Sequence, residues 1–453
     1  MTGKHQPAAD APHVVVMGAG FAGLSAGKGL AKAGFRVTLL DRNLYSTFQP
    51  LLYQVATGGI NPGDVAYAVG GFTRKYGARY SRGELATIDP AARRIGLTDG
   101  REIGYDYLVI ATGVSASHYG IKGAEEYTYG LYTRHDAVTL RDRFMADIAR
   151  LSIGPPDAEL AITMVGGGAT GVELAGTMAE LRDGVLKETF SDIDPARIHV
   201  RVVEMLPDLL TPFDPKLRGY TREQLVERGV DVRTNTSIME VTPDRVILKD
   251  GQDLRSDITV WTAGVAAPPE TKRWGLPQAK AGRIVTGPDL RVKGQDRIFA
   301  VGDIAFVEDH PTPQLSQPAL QMGRHAAAQI RRLEAGQATE PFTYHDKGMA
   351  ATIGRHAAVI QLAKGPDFKG TLAWIGWLVL HLFYLLGGRN RVSALVNLGW
   401  RYLAWGHGGT VIVGDEPPYI GPKGRPEPAA SRPGEQDGHA GQTGERRPAY
   451  DEA

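Results

Sequence analysis

Residues 13–41 read HVVVMGAGFAGLSAGKGLAKAGFRVTLLD. An apolar run from His13 stops at Gly18-Ala19-Gly20-Phe21-Ala22-Gly23, helix formers continue to about Ala33, and a second apolar run closes on Asp41 and Arg42. The pattern predicts strand, glycine turn, helix, strand. A pyrophosphate rests well at such a helix N-terminus, where unpaired N–H groups and the helix dipole favour negative charge and any side chain would obstruct the approach. Gly18 then makes the turn, Gly20 lets the backbone reach the phosphates, Gly23 lets helix and strand pack closely, and Asp41 accepts the ribose hydroxyls.

The pattern returns in AITMVGGGATGVELAGTMAEL at 161–181, followed by an apolar run ending in Glu204. Gly166, Gly168, Gly171 and Glu204 take the same roles, with Thr170 inside the loop. The interval from Gly166 to Glu204 is longer than that from Gly18 to Asp41, and the polar stretch around 182–197 reads as an insertion. Met205 and Leu206 follow Glu204, with no arginine to neutralise a 2′-phosphate, which favours NADH over NADPH. A lone glycine fingerprint is as often a structural turn, and the lesser reading of Glu204 taken alone is an ordinary solvated acid at a strand end; two fingerprints in full context point to two bound dinucleotides. Buried-strand patterns halted by glycine, Tyr105 to Ala111-Thr112-Gly113 and Ile258 to Ala263-Gly264, follow each unit, and a third strand from Arg297 runs into Gly302-Asp303.

The 453 residues suggest two or three domains. A net charge of +1, with no basic stripe, sets nucleic acid aside as a partner. The absence of cysteine removes disulfide exchange, thiolate metal sites and iron–sulfur clusters. His325, His345 and His356 have no metal-ligand spacing, so no metal site is expected. The polar start of the chain lacks the apolar core of a secretory signal, which predicts the cytoplasmic side.

Taken together, the two glycine elbows, the Ala111-Thr112-Gly113 strand end and Val301-Gly302-Asp303 resemble the two-dinucleotide-domain flavoprotein reductases over roughly 13–345. Within them the chain resembles the type II NADH:quinone dehydrogenases. Four stretches carry this: Phe48 to Thr57, Gly166 to Gly176, Ser316-Gln317-Pro318-Ala319-Leu320-Gln321, and Lys347 to Arg355. The resemblance implies an α/β fold of two Rossmann-like domains, an FAD domain carrying an inserted NADH domain, plus a C-terminal membrane-associating helical region. It implies hydride transfer from NADH to FAD and two-electron delivery to a membrane quinone without proton pumping. It also implies that Glu173 lies near nicotinamide and flavin and that Gln317 and Gln321 form the quinone motif, with Lys347 a plausible charge near the quinone carbonyl. Ser316 departs from the family's usual alanine.

Other readings stand beside these. Gln317 and Gln321 share a helix face, as two exposed glutamines also would. Glu173 gains from the helix dipole whatever its role, an isolated lysine is usually solvated, and Asp303 can cap a following segment instead of touching the flavin.

The expected layout is a disordered tail at 1–12, an FAD domain at 13–118 and 283–345, an NADH domain at 119–282, a membrane-anchoring region at 346–413 and a disordered tail at 414–453. The uncharged stretch between Lys369 and Arg389 decides how the membrane region is read. Its apolar part, roughly sixteen residues, reaches about 24 Å against a hydrocarbon core of about 30 Å, so an interfacial anchor fits better than a span. Such a patch can also meet a protein, so a homodimer stays open. Rival functions are an NADH-dependent flavin reductase with a protein acceptor and an NADH-binding flavoprotein sensor or scaffold.

Overall fold

The computed structural model describes residues 7–186, 190, 192–308 and 310–403. The expected tail at 414–453, residues 404–413 at the end of the expected anchoring region, and half of the tail at 1–12 lie outside the described residues.

The first glycine unit sits in a five-stranded parallel sheet, in the order Ile298–Ala300, Tyr107–Ile110, His13–Met17, Arg36–Asp41, Arg79–Arg82. Val14, Val15 and Val16 are wholly buried because the sheet is covered on both faces, and this is why the strand reads as an unbroken apolar run. The helix Phe21–Lys32 packs against the helix Ser316–Glu334. Gly323 makes the closest approach, since a Cβ there would stand 2.2 Å from the Ala22 carbonyl oxygen.

The second unit repeats the plan with four parallel strands, Val230–Arg233, Ile198–Val203, Leu160–Val165 and Ile258–Trp261. Its helix Ala169–Glu180 meets a strand, Met349–Gly354, where a Cβ on Gly176 would stand 1.7 Å from the Ile353 carbonyl oxygen. The long interval before Glu204 contains a π-helical turn, Leu181–Leu186, and a short 3-10 turn, Pro195–Arg197. The chain crosses between the units through Ser115–Ala116 and Val265–Ala266, which pair antiparallel and fasten the two crossings together.

The strands Met349–Gly354 and Ala357–Gln361 form a hairpin under two C-terminal helices, Thr371–Tyr384 and Gly388–Leu403. Ala373, Trp374 and Trp377 face inward, while Leu372, Ile375, Val379 and Phe383 are exposed. The second helix turns Asn390, Ala394, Asn397 and Arg401 inward, a spacing of three or four residues that keeps them on one face. Asn390 donates to the Ala66 carbonyl, Asn397 to Asp64 and Arg401 to Gln54. Val392, Leu395, Val396 and Trp400 remain exposed on the outer side. Among the described residues, no helix is long and apolar enough to cross a membrane.

Candidate active site

Each elbow is shaped by glycines a side chain would break. Gly18 has φ +100°, and a Cβ on it would lie 2.3 Å from the Ala111 carbonyl oxygen; one on Gly23 would lie 1.8 Å from the Gly18 carbonyl oxygen. Gly166, at φ +112°, is backed by Ala263, and Gly171 by the Gly166 carbonyl at 2.0 Å. Gly20 and Gly168, by contrast, face open space, with nothing within 4 Å of a built Cβ. A loop closed behind and open in front is what a pyrophosphate at a helix N-terminus requires.

The acids match as well. Asp41 accepts the amide of Ala19 at 2.7 Å through one oxygen and that of Asn43 at 2.7 Å through the other. Glu204 accepts the amides of Gly167 at 2.6 Å and Leu206 at 2.8 Å. These bonds fix both carboxylates at their elbows and leave lone pairs for ribose hydroxyls. Burial pushes the Asp41 carboxyl above its usual range, against the two amides that favour its charge.

A cleft of about 830 Å³ runs from the first elbow, along Asp41, Arg42, Ala111, Thr112, Gly113, Gly302 and Asp303, to the second unit. There Ala169, Thr170 and Glu173 form its far wall, with Ser316, Ala350 and His381. Thr112 Oγ1 is buried in this lining with no hydrogen-bond partner among the described residues, so a ligand oxygen or N–H would complete it. Asp303 caps no helix: the helix at Ser316–Glu334 has Leu315 at its N-cap, and the short turn at Gly302–Ile304 begins from Val301. Burial, partly offset by Arg283, pushes its carboxyl up to about 6.

Glu173 is buried on the helix Ala169–Glu180. One oxygen accepts the Thr352 amide at 3.3 Å, and the Trp377 indole N–H, which completes no hydrogen bond, lies close enough to favour the charged form. Burial outweighs both and raises the carboxyl to about 8, so at neutral pH Glu173 carries its proton. One helical turn beyond Gly176, Glu180 accepts the Arg355 amide, so the two acids clasp the hairpin on either side of the glycine contact.

The quinone-motif residues are placed differently. Ser316 and Ala319 of that helix line the cleft, whereas Gln317, Gln321 and Lys347 do not. Gln321 is committed elsewhere: its amide donates to the His345 carbonyl at 2.9 Å and its oxygen accepts the His345 amide at 3.0 Å. Gln317 is half-buried and Lys347 exposed. Ala263 backs the second elbow at Gly166, outside the cleft, and Gly264 at φ +69°, also outside the cleft, lies under the Tyr119 hydroxyl.

Sequence reasoning missed the contribution of the helix Thr371–Tyr384. Trp377 is stacked on His381, ring centroids 3.8 Å apart at 23°, and meets Tyr53 edge-on at 5.9 Å. His381 meets Phe48, and Phe48 meets Phe21 of the first elbow, so an aromatic row joins the elbow to the wall holding Glu173. The signal was present: Trp374, Trp377 and His381 recur at three and four residues, the spacing of an inward stripe rather than of a uniformly lipid-facing helix.

Comparison with known proteins agrees with this architecture. Residues 12–323 match the family described as pyridine nucleotide-disulphide oxidoreductase. A type II NADH:quinone oxidoreductase, NdhA, of Mycobacterium tuberculosis is 36% identical over 88% of this chain and 89% of its own length. That of Staphylococcus haemolyticus is 30% identical over 81% of this chain and 93% of its own. The solved structure of NDH2 from Plasmodium falciparum in complex with NADH superposes with a TM-score of 0.81 at 20% identity, over 88% of this chain and 99% of that one, and shares the fold. With two elbows, a shared cleft and no cysteine to support disulfide chemistry, the chain belongs to the pyridine nucleotide-disulphide oxidoreductase family and, within it, to the type II NADH:quinone oxidoreductases.

Proposed function

We propose that this chain oxidises NADH and passes two electrons, by way of bound FAD, to a membrane quinone without pumping protons. The observation that carries the reading is the entry of Glu173, Ala169 and Thr170 of the second unit into the cleft that begins at the first elbow. Two nucleotides held by separate elbows can meet there. In this reading 13–118 with 283–345 holds FAD, 119–282 holds NADH, and 346–413 docks on the cytoplasmic face of the cell membrane.

The bound FAD supplies reversible two-electron chemistry, and the protein supplies position and electrostatics. Gly20 and Gly168 admit the pyrophosphates, Asp41 and Glu204 hold ribose hydroxyls, and Thr112, Gly302 and Asp303 line the flavin's path. Glu173 holds a proton at its carboxyl where the acceptor is reduced, and Gln317, Gln321 and Lys347 border the quinone's approach. The exposed Leu372, Ile375, Val379, Phe383 and Trp400 support docking at a lipid surface, since side chains of this kind are stable in the interfacial region.

The test uses purified, FAD-loaded protein. Anaerobic NADH should bleach the flavin, and a short-chain quinone should restore its colour within the turnover time. A flavin that stays oxidised under excess NADH would remove the dehydrogenase reading; bleaching without quinone turnover would remove only the acceptor.

A further inference from the structure

His381 lines the cleft from a helix whose other features point to the membrane. Its ring is fixed on three sides. One face stacks on Trp377, Phe48 closes in edge-on with centroids 6.3 Å apart, and Nδ1 is turned back on its own helix, 2.7 Å from the Trp377 carbonyl oxygen. A carbonyl can only accept, so Nδ1 carries the hydrogen and Nε2 is left with an acceptor lone pair. Nε2 has no partner among the described residues, and the ring is half-buried against the cleft, so Nε2 is the polar atom His381 offers to a ligand.

Resting on the quinone reading above, we propose that His381 Nε2 accepts a hydrogen bond from a hydroxyl of the reduced product, a quinol, in the part of the cleft walled by Glu173. An oxidised quinone presents only acceptors, and the protonated Glu173 is a donor suited to one. A quinol presents two O–H donors; one Glu173 oxygen already accepts the Thr352 amide, whereas the neutral imidazole offers a lone pair on Nε2 for a hydroxyl. Burial holds His381 down to about 4, so it stays an acceptor throughout the physiological range. Glu173 and His381 both adjoin Trp377, so one donor and one acceptor stand on the same wall, and each oxidation state of the ligand finds its complement. Tyr53, which packs against Trp377 on this wall, accepts the Gln54 side-chain amide at its hydroxyl oxygen in the interior.

The test measures ligand binding to the oxidised, FAD-loaded protein under anaerobic conditions, by quenching of flavin fluorescence, with a short-chain hydroquinone and its dimethyl ether as probes. The wild-type protein should prefer the hydroquinone about tenfold, the equivalent of about 1.4 kcal/mol. In His381→Phe the preference should fall below about twofold with ether binding unchanged, and His381→Gln, which retains an acceptor, should recover part of it. A second measurement, independent of any variant's folding, is the ring-nitrogen NMR signal of His381, which should move with the hydroquinone and stay put with the ether. A preference retained in His381→Phe, equal binding of the two probes by wild type, or an unmoved nitrogen signal overturns the inference. If neither probe nor the parent quinone binds while NADH still bleaches the flavin, the quinone reading itself is overturned and the inference falls with it.

Discussion

The elbow at Gly18 and the elbow at Gly166 differ by 12° in φ, close behind with Cβ clearances of 1.8 and 2.0 Å at Gly23 and Gly171, and hold an acid by two backbone amides each. Their surroundings diverge one layer out. The first helix lies against another helix, through Gly323 on Ala22, and its sheet has a fifth strand that delivers Gly302 and Asp303 to the cleft. The second helix lies against a hairpin, through Gly176 on Ile353, and its inner face carries Glu173 and Glu180. The same local physics thus builds two nucleotide cradles, and the element packed behind each helix decides what else reaches the chemistry. Behind the first stands a scaffold; behind the second stands the strand that holds the buried acid.

If those backbone-on-backbone contacts are what distinguish the units, breaking them should have the largest effects. Gly323→Ala and Gly176→Ala each place a methyl carbon about where a carbonyl oxygen already lies, and neither neighbour can rotate away. Each should cost about 3 kcal/mol of stability, at the upper end for overpacked contacts. Melting curves check this, and Gly176→Ala should also disturb Glu173 because its strand is displaced. Next in size come the open glycines. Gly20→Val and Gly168→Val should leave the fold intact, since nothing lies within 4 Å, yet obstruct the phosphates. Gly20→Val should yield protein that loses flavin on dialysis, while Gly168→Val should keep its flavin and raise the KM for NADH about a hundredfold, near 2.7 kcal/mol. Flavin content and steady-state kinetics separate the two, and equal losses of flavin in both would erase the division of labour between the elbows.

The two elbows were legible in the sequence because their determinants are local: a glycine turn, a helix start and an acid at the next strand's end all fall within a few dozen residues. The pairing of Gly113 and Gly264, each at positive φ just before a paired linker strand, was legible for the same reason. What brings His381 and Thr352 beside Glu173 is tertiary contact across some 180 to 210 residues, and no local pattern encodes that distance. The apolar run around Trp377 shows the ambiguity well: hydrophobicity alone serves equally a helix facing lipid and one facing a cleft, and this helix turns Trp377 and His381 toward the cleft wall while leaving Ile375, Val379 and Phe383 exposed on its other side.

The second unit's buried acid also makes a prediction of intermediate size. Glu173 holds its proton more tightly in the native protein than in the unfolded chain, so its burden on stability is absent below about pH 4.5 and grows as pH rises to about 8. Glu173→Gln removes that dependence. The stability of the variant relative to wild type should therefore rise between pH 6 and pH 9 by about 2–3 kcal/mol, as denaturant titrations at the two pH values would show. A flat difference would mean that Glu173 ionises in the native protein as easily as in water.

The smallest effect concerns the residue after each acid. Arg42 follows Asp41, whereas Met205 follows Glu204 and is two-thirds exposed, so a side chain there can be exchanged without disturbing the core. An arginine in that place can approach a 2′-phosphate, yet Glu204 stays fixed by the amides of Gly167 and Leu206 and continues to repel the same group. Because the gain is an exposed, screened attraction set against a held carboxylate, Met205→Arg should raise kcat/KM for NADPH only about fivefold, near 1 kcal/mol, and change that for NADH less than twofold. Adding Glu204→Ala should then increase the NADPH gain severalfold, since the repulsion is gone, at the cost of leaving two backbone amides without their acceptor. If Met205→Arg alone made NADPH the preferred donor, the carboxylate would not be the dominant selector, and the likeness of the two acids would reach no further than the backbone bonds they share.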